Sequence, residues 1–267
     1  EHRLERVIQF VDRIIYIEGN GDTSIGTADE ILKRSELVPP IVKLARALNL
    51  SEIGTSVREV RRQTEDVRSK EYVRPSNTPT HTSTAIEISK VSHSYSGKTA
   101  LNDVSASINH GEIVAIMGRN GAGKSTLLHS IVGLHSPQAG EIRVDGVDPT
   151  TLKGAERRKS IGYVPQEPSD LLFASTVSEE CALADQDNKV QSGSTLEIYS
   201  ELMNIPSLSA HPRDISEGQR LGLALSIILS AQPKIVILDE PTRGLDYEAK
   251  RVLVQNLKDI AHRQKRA

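Results

Sequence analysis

A single cysteine, Cys181, stands among 267 residues, and the aromatic set is two Phe, six Tyr and no Trp. One thiol can neither close an internal disulfide nor supply a multi-cysteine zinc site, and it fits a reducing compartment. So few aromatics argue against a base-stacking platform for single-stranded nucleic acid. Neither sign of charge is in excess: 33 Lys and Arg against 35 Asp and Glu leave a formal net charge of −2, which gives no support for a nucleic-acid partner held by bulk positive charge. The longest apolar stretch, Leu221 to Leu229, is broken by Gly222 and Ser226 and is too short to span a bilayer. The opening Glu1-His2-Arg3-Leu4-Glu5-Arg6 is too charged for the core of a signal peptide. It has no initiator Met, as expected of a piece of a longer chain. What is present, 37% hydrophobic and 25% charged residues, is enough to bury the core of one large domain or two small ones.

Three regions follow from the patterning. Residues 1–72 alternate short apolar and polar stretches: Ile14-Ile15-Tyr16-Ile17 reads as a short buried strand and Gly19-Asn20-Gly21-Asp22 as a turn. Thr27 opens a short helix over Ala28–Leu32, Pro39-Pro40 starts a segment running through Leu50, and Val57–Lys70 reads as helical. No sheet of useful size can be made from this region. Residues 73–84 hold Arg74-Pro75-Ser76-Asn77-Thr78-Pro79-Thr80-His81-Thr82-Ser83-Thr84, eleven positions without an apolar side chain; as a flexible coil they would span roughly 17–20 Å. From Ala85 onward, short apolar strands (Ile86-Glu87-Ile88, Glu112–Met117, Ile235–Leu238) alternate with helices. That order implies an α/β domain with a parallel sheet covered on both faces.

The strongest local signal is Gly118-Arg119-Asn120-Gly121-Ala122-Gly123-Lys124-Ser125, a G-x-x-x-x-G-K-[ST] loop between a predicted strand and a helix from Thr126 to Val132. Glycines at 118, 121 and 123 free the backbone to turn successive N–H groups toward a polyphosphate at a helix N-terminus. Lys124 then adds a cation at the outer phosphates and the Ser125 hydroxyl a magnesium ligand. A second station is Ile235-Val236-Ile237-Leu238-Asp239-Glu240, an apolar strand ending in two carboxylates: Asp239 is placed to hold Mg²⁺ and Glu240 to polarise an attacking water. A third is Asp214-Ile215-Ser216-Glu217-Gly218-Gln219 before a helix running to Ala231. Ser216 can cap that helix and Gly218 permits close approach of a ligand.

Taken together, these stations resemble the ATP-binding-cassette (ABC) ATPases. The family's L-S-G-G-Q signature is matched by Ile215-Ser216-Glu217-Gly218-Gln219, with a carboxylate at the first of its two glycines. Tyr95 matches the aromatic that stacks on adenine. Gln166, in Ile161-Gly162-Tyr163-Val164-Pro165-Gln166, matches the loop glutamine that senses magnesium, and Gly244-Leu245-Asp246 the loop that touches the opposing subunit. The resemblance implies a P-loop NTPase fold of the ABC type: a mostly parallel core sheet with flanking helices, an antiparallel β subdomain and a helical signature subdomain. ATP and Mg²⁺ are the implied cofactors. Their implied contacts are Tyr95, Gly118, Asn120, Gly121, Ala122, Gly123, Lys124, Ser125, Thr126, Ser216, Gly218 and Gln219 for the nucleotide, Ser125, Gln166 and Asp239 for the metal, and Glu240 with Gln166 for catalysis.

Two stretches look narrower still. Pro168-Ser169-Asp170-Leu171-Leu172-Phe173-Ala174-Ser175-Thr176-Val177 resembles a segment of energy-coupling-factor (cobalt/vitamin-type) importer ATPases, and Pro241-Thr242-Arg243-Gly244-Leu245-Asp246-Tyr247 resembles the second cassette of their fused, two-cassette members. Glu1-His2-Arg3-Leu4 is similar to the group's switch-histidine motif, and residues 12–32 to the end of a cassette. The expected division is therefore 1–72 as the tail of a first cassette, 73–84 as linker, and 85–267 as a second cassette lacking its last strand and switch histidine; His262 sits in an amphipathic helix as a surface residue. The resemblance implies a peripheral subunit on the cytoplasmic face of the cell membrane. Its implied partners are a second cassette in the same full-length chain, a transmembrane coupling protein and a substrate-binding membrane subunit, without nucleic acid. Such a piece is expected to bind ATP better than it turns it over. The rival readings are a soluble tandem ABC ATPase acting on ribosomes or DNA, against which the short tether with Arg74 as its one charged residue and the near-neutral net charge speak, and a degenerate regulatory cassette, for which Glu217 speaks.

Overall fold

The computed structural model describes residues 12–17, 23–35, 38–50, 56–64, 83–205 and 207–264, the last three without side chains. The turn expected at Gly19–Asp22, the tether up to Thr82 and His2 lie outside the described residues, as does the side chain of His262. Among the described residues no helix is long and apolar enough to cross a membrane. Two compact units emerge, one formed mainly by the first 77 residues and one mainly by the rest.

In the first unit β1 (Ile14–Ile17) pairs antiparallel with β2 (Thr23–Gly26), followed by α1 (Ala28–Arg34), α2 (Pro40–Ala47) and α3 (Val57–Gln63). Local chemistry sets these boundaries. Thr27 accepts from the Glu30 amide while the Glu30 carboxylate accepts from the Thr27 amide, a reciprocal cap repeated by Ser56 and Glu59 at α3. Proline at the start of α2 loses no helical hydrogen bond. Leu32, Val38 and Val42 form a small core under Ile14. Ile15, by contrast, is 66% exposed, so β1 is not the buried strand expected. A two-stranded sheet has one covered face, and alternation turns every second side chain to the other.

The second unit begins with two long strands, β3 (Thr84–Tyr95) and β4 (Lys98–Asn109), then α4 (Lys124–Val132) and β5 (Ala139–Val144), which completes an antiparallel sheet in the order β4-β3-β5. Next come α5 (Gly154–Ser160), β6 (Ile161–Val164), α6 (Val177–Asn188), α7 (Ser194–Leu202), α8 (Glu217–Ser230), β7 (Ile235–Leu238) and α9 (Tyr247–Gln264). β6 and β7 pair in parallel, Val164 opposite Leu238. One core joins the inner faces of both sheets to α4: Ile86, Ile88 and Val91 of β3 meet Leu128 and Ile131 of α4 and Ile161, Ile235 and Ile237 of the parallel pair. A second cluster, with Val177, Cys181, Tyr199 and Leu223, packs α6, α7 and α8 together. There the Asp185 carboxylate accepts from the amides of Gly193 and Thr195 and from the Thr195 hydroxyl, sewing α6 to the start of α7.

The antiparallel layer, the helical layer and the parallel pair match expectation. The strand expected at Glu112–Met117 does not form: this run has no strand assignment, and Ile113, Val114, Ile116 and Met117 are 53, 46, 37 and 89% exposed. A strand exists only through its neighbours' hydrogen bonds, and no described strand lies alongside this one.

Candidate functional site

The phosphate loop runs from Gly118 to Gly123 and delivers Lys124 as the first residue of α4. Two of its three glycines have left-handed backbone, Gly121 at φ +80° and Gly123 at φ +88°, whereas Gly118 does not. At Gly123 both reasons for glycine apply: a Cβ there would stand 2.2 Å from the Ala100 carbonyl oxygen and 3.0 Å from Leu101. The loop is thereby pressed against the start of β4, beside the hairpin end where Tyr95 faces Lys98 across the ladder. Tyr95 is 46% exposed, open enough to receive a flat ring. Asn120, Gly121, Ala122 and Ser125 are exposed, and Thr126 is half-buried at the first turn of α4. The Lys124 ammonium donates to the carbonyls of Gly118 and Arg119, both at 3.1 Å. It closes the loop upon itself, and a phosphate would have to replace those two oxygens.

The acidic station is assembled differently. Two residues beyond the facing pair Val164 and Leu238, Gln166 and Glu240 meet, the Gln166 amide donating to the Glu240 carboxylate at 3.1 Å. Asp239 is buried and its backbone amide donates to the Val164 carbonyl at 3.0 Å, which extends the ladder by one rung. Glu240 adopts φ +49°, a left-handed conformation uncommon outside glycine, which turns its side chain out of the strand line into solvent. These groups line an open cleft of about 200 Å³ together with Pro165, Glu217, Arg243 and Gly244. That is below the roughly 300–1,000 Å³ of a whole small-molecule pocket and suits one corner of a larger site. The negative charge of Asp239 also reaches Tyr163 of β6, whose phenol is raised above its ordinary range first by burial and then by that carboxylate.

At α8 the expected cap is present: Ser216 accepts from the Gln219 amide and the Gln219 side chain accepts from the Ser216 amide. Gln219 is held further by the Tyr199 hydroxyl, which donates to its carbonyl at 2.9 Å, and Gly218 stands half-buried in the first turn. Glu217, in the position of the missing glycine, pairs with Arg220 at 3.0 Å and presses its chain on Gly244, where an added Cβ would lie 2.7 Å from Glu217 Cγ. Arg220 in turn donates to the carbonyls of Pro212, Arg213 and Ile215 and so fixes the turn that leads into the helix. The carboxylate is engaged within its own domain.

Sequence reasoning took Asp239 and Glu240 together from one strand end and joined Gln166 to them through the family resemblance, and in the structure the three lie in one corner. It did not single out Arg243, which lines the same cleft, nor the histidines His93 and His135, which meet the Tyr95 ring, and His129, which meets His135. His93 was visible as the residue two before Tyr95 on an alternating strand, hence on the same face; the other two come from outside that strand. Cys181 is buried and its thiol is pushed up to about 11 by burial, which makes it a core residue rather than a nucleophile.

The candidate metal donors are a carboxylate, Asp239, a hydroxyl, Ser125, and the amide oxygen of Gln166. Among the described residues there is no group of three or more His, Cys, Asp or Glu able to hold a metal. So sparse an oxygen set fits magnesium, which keeps several waters and binds through substrate phosphates.

Comparison with known proteins agrees with this geometry. The family described as "ABC transporter" matches residues 101–243. An ABC transporter ATP-binding protein of Streptomyces coelicolor is 38% identical over 294 residues, covering 98% of this chain and 52% of the relative. The chain spans about half the length of these curated relatives from Streptomyces. A cassette solved as a dimer in a post-hydrolysis state with ADP and Pi superposes with TM-score 0.59 at 27% identity, covering 68% of this chain and 84% of that one. The cbiO1 protein from Clostridium perfringens, described as part of the transporter complex cbiONQ, gives TM-score 0.58 at 28% identity, over 68% of this chain and 75% of that one.

Proposed function

This chain belongs to the ABC transporter family, and on that premise we propose that it binds and hydrolyses ATP to power the passage of a solute through a membrane transporter. The observation that carries the reading is the meeting of Gln166 and Glu240 at 3.1 Å beside the buried Asp239. Loop amides from Gly118 to Gly123, with Asn120 and Ala122 among them, Lys124, Ser125 and Thr126 hold the triphosphate, and Tyr95 stacks on the base. Glu240 takes a proton from a water held by Gln166 as that water's oxygen bonds to the γ-phosphorus and the bond from phosphorus to the ADP oxygen breaks. Ser125, Asp239 and Gln166 would hold magnesium, which when bound offsets charge on the phosphate oxygens. Ser216, Gly218 and Gln219 serve the nucleotide of a second cassette, facing it across a closed dimer.

The finer assignment is to the energy-coupling-factor importers in fused two-cassette form, with residues 1–72 the tail of the first cassette and 85–267 the second. Supporting it are the Pro168–Val177 segment, which carries an 84% exposed Phe173 just beyond Gln166, and the likeness to cbiO1. On this reading Phe173 meets a transmembrane coupling protein at the cytoplasmic face of the membrane, and a separate membrane subunit selects the solute. Titration of the chain with Mg-ATP in a calorimeter tests the core of the proposal. Uptake is expected, and Lys124→Ala should weaken it by roughly 10–10² fold, the worth of a charge-assisted hydrogen bond or two. No uptake by the unaltered chain, or equal affinity in Lys124→Ala, overturns it.

A further inference from the structure

Five rings form a continuous chain beside the candidate base site. Tyr95 and His93 lie 4.7 Å apart at 62°, His93 and His135 stack at 6.1 Å and 25°, and Tyr95 and His135 stand at 6.4 Å and 77°. His135 then meets His129 at 5.4 Å, and His129 meets Tyr163 at 5.9 Å with its Nε2 3.1 Å from the phenol oxygen. The rings come from β3, the loop after α4, the last turn of α4, and β6. Gln138 sews that loop to β3: its side chain accepts from the Ser94 amide at 2.9 Å and donates to the Ser94 carbonyl at 3.0 Å, and its own amide donates to the Ser92 carbonyl at 3.0 Å. The strand and helix that supply rings also supply part of the proposed nucleotide site, Tyr95 from β3 and Lys124 and Ser125 from α4, and Gln166 follows just past β6.

We infer that His93, His129 and His135 are positioning residues for nucleotide binding: His93 and His135 hold the Tyr95 ring in place for the base, and His129 carries the contact on to α4 and β6. The inference rests on the reading of Tyr95 as the base contact. Ring pairs at these spacings and edge-on angles attract beyond the area they bury. His93 Nδ1 is buried and without a hydrogen-bond partner, so this ring acts through its face and edge rather than through that atom.

The test is the affinity of the chain for Mg-ATP and for magnesium triphosphate, which lacks the base, measured by calorimetry for each variant. His93→Ala and His135→Ala are expected to weaken Mg-ATP by about fivefold and to leave magnesium triphosphate unchanged, and His93→Phe and His135→Phe, which keep a ring, to restore Mg-ATP affinity. Tyr95→Ala should show the same split between the two ligands. Circular dichroism excludes variants that have unfolded, and His135→Leu on the half-buried loop serves as a second variant. Equal Mg-ATP affinity in the unaltered chain and in the folded alanine variants, or equal losses for the two ligands, overturns the inference and leaves the ATP reading standing. Absence of Mg-ATP binding by the unaltered chain overturns both.

Discussion

The phosphate loop and the acidic corner are expected to hold opposite ends of one reacting group, yet they are made in unlike ways. The corner is a product of the sheet: β6 and β7 pair in register, and the residues two steps past the last rung, Gln166 and Glu240, are already hydrogen-bonded. The loop is largely exposed chain, preceded by a run without strand neighbours and closed by Lys124 bonding to its own carbonyls and by the Ala122 amide donating to the Arg119 carbonyl at 3.1 Å. The corner's side chains are thus placed by a ladder between two strands, while the loop is held by bonds within itself.

That contrast can be broken experimentally. Glu240→Gln in the full-length protein keeps the hydrogen-bonding shape of the corner and removes the base; turnover should fall by roughly 10²–10⁴ with ATP binding retained. Unchanged single-turnover rates would make the corner structural rather than catalytic. Gly123→Ala tests the loop, because the left-handed φ alone costs about 1–3 kcal/mol for a residue with a side chain and the Ala100 carbonyl blocks the added methyl. A lower denaturation midpoint together with weaker nucleotide uptake is expected, and a midpoint equal to that of the unaltered chain would show the loop to be freer than its packing indicates. The smallest effect belongs to a charge cluster remote from both. Burial raises the Asp145 carboxyl, but Lys234 at 2.9 Å and His110 at 2.7 Å outweigh burial and hold it below the ordinary carboxylate range. A depressed folded value means stability that is fully present above about pH 4 and is lost as pH falls through the folded value. Melting curves of Asp145→Asn and the unaltered chain should therefore converge as pH drops below about 4.

How far the sequence could be read depended on whether each feature is local. The Ser216–Gln219 cap, the Thr27 cap and the helix from the phosphate loop are dictated by residues within four positions of each other, and each is in place. The adjacency of Gln166 and Glu240 spans 74 positions and was legible only through the family resemblance, since nothing in either segment specifies its neighbour. Glu112–Met117 failed for the same reason: its apolar pattern states a preference for burial, but only another strand can grant it. His129 and His135 were out of reach, because they come from outside the strand that carries His93 and Tyr95. Glu217, ambiguous as a letter, pairs with Arg220 one turn along the same helix, a contact its neighbours in sequence allow.

Because Gln166 and Glu240 each stand two residues past a shared rung, and Glu240 is then turned aside by its left-handed backbone, their meeting depends on residue count as well as on side-chain type. Inserting or deleting one residue between that rung and either side chain would carry it out of reach of the other. This corner can therefore drift in composition around its edges, but the residue count on its two strands must change together or not at all.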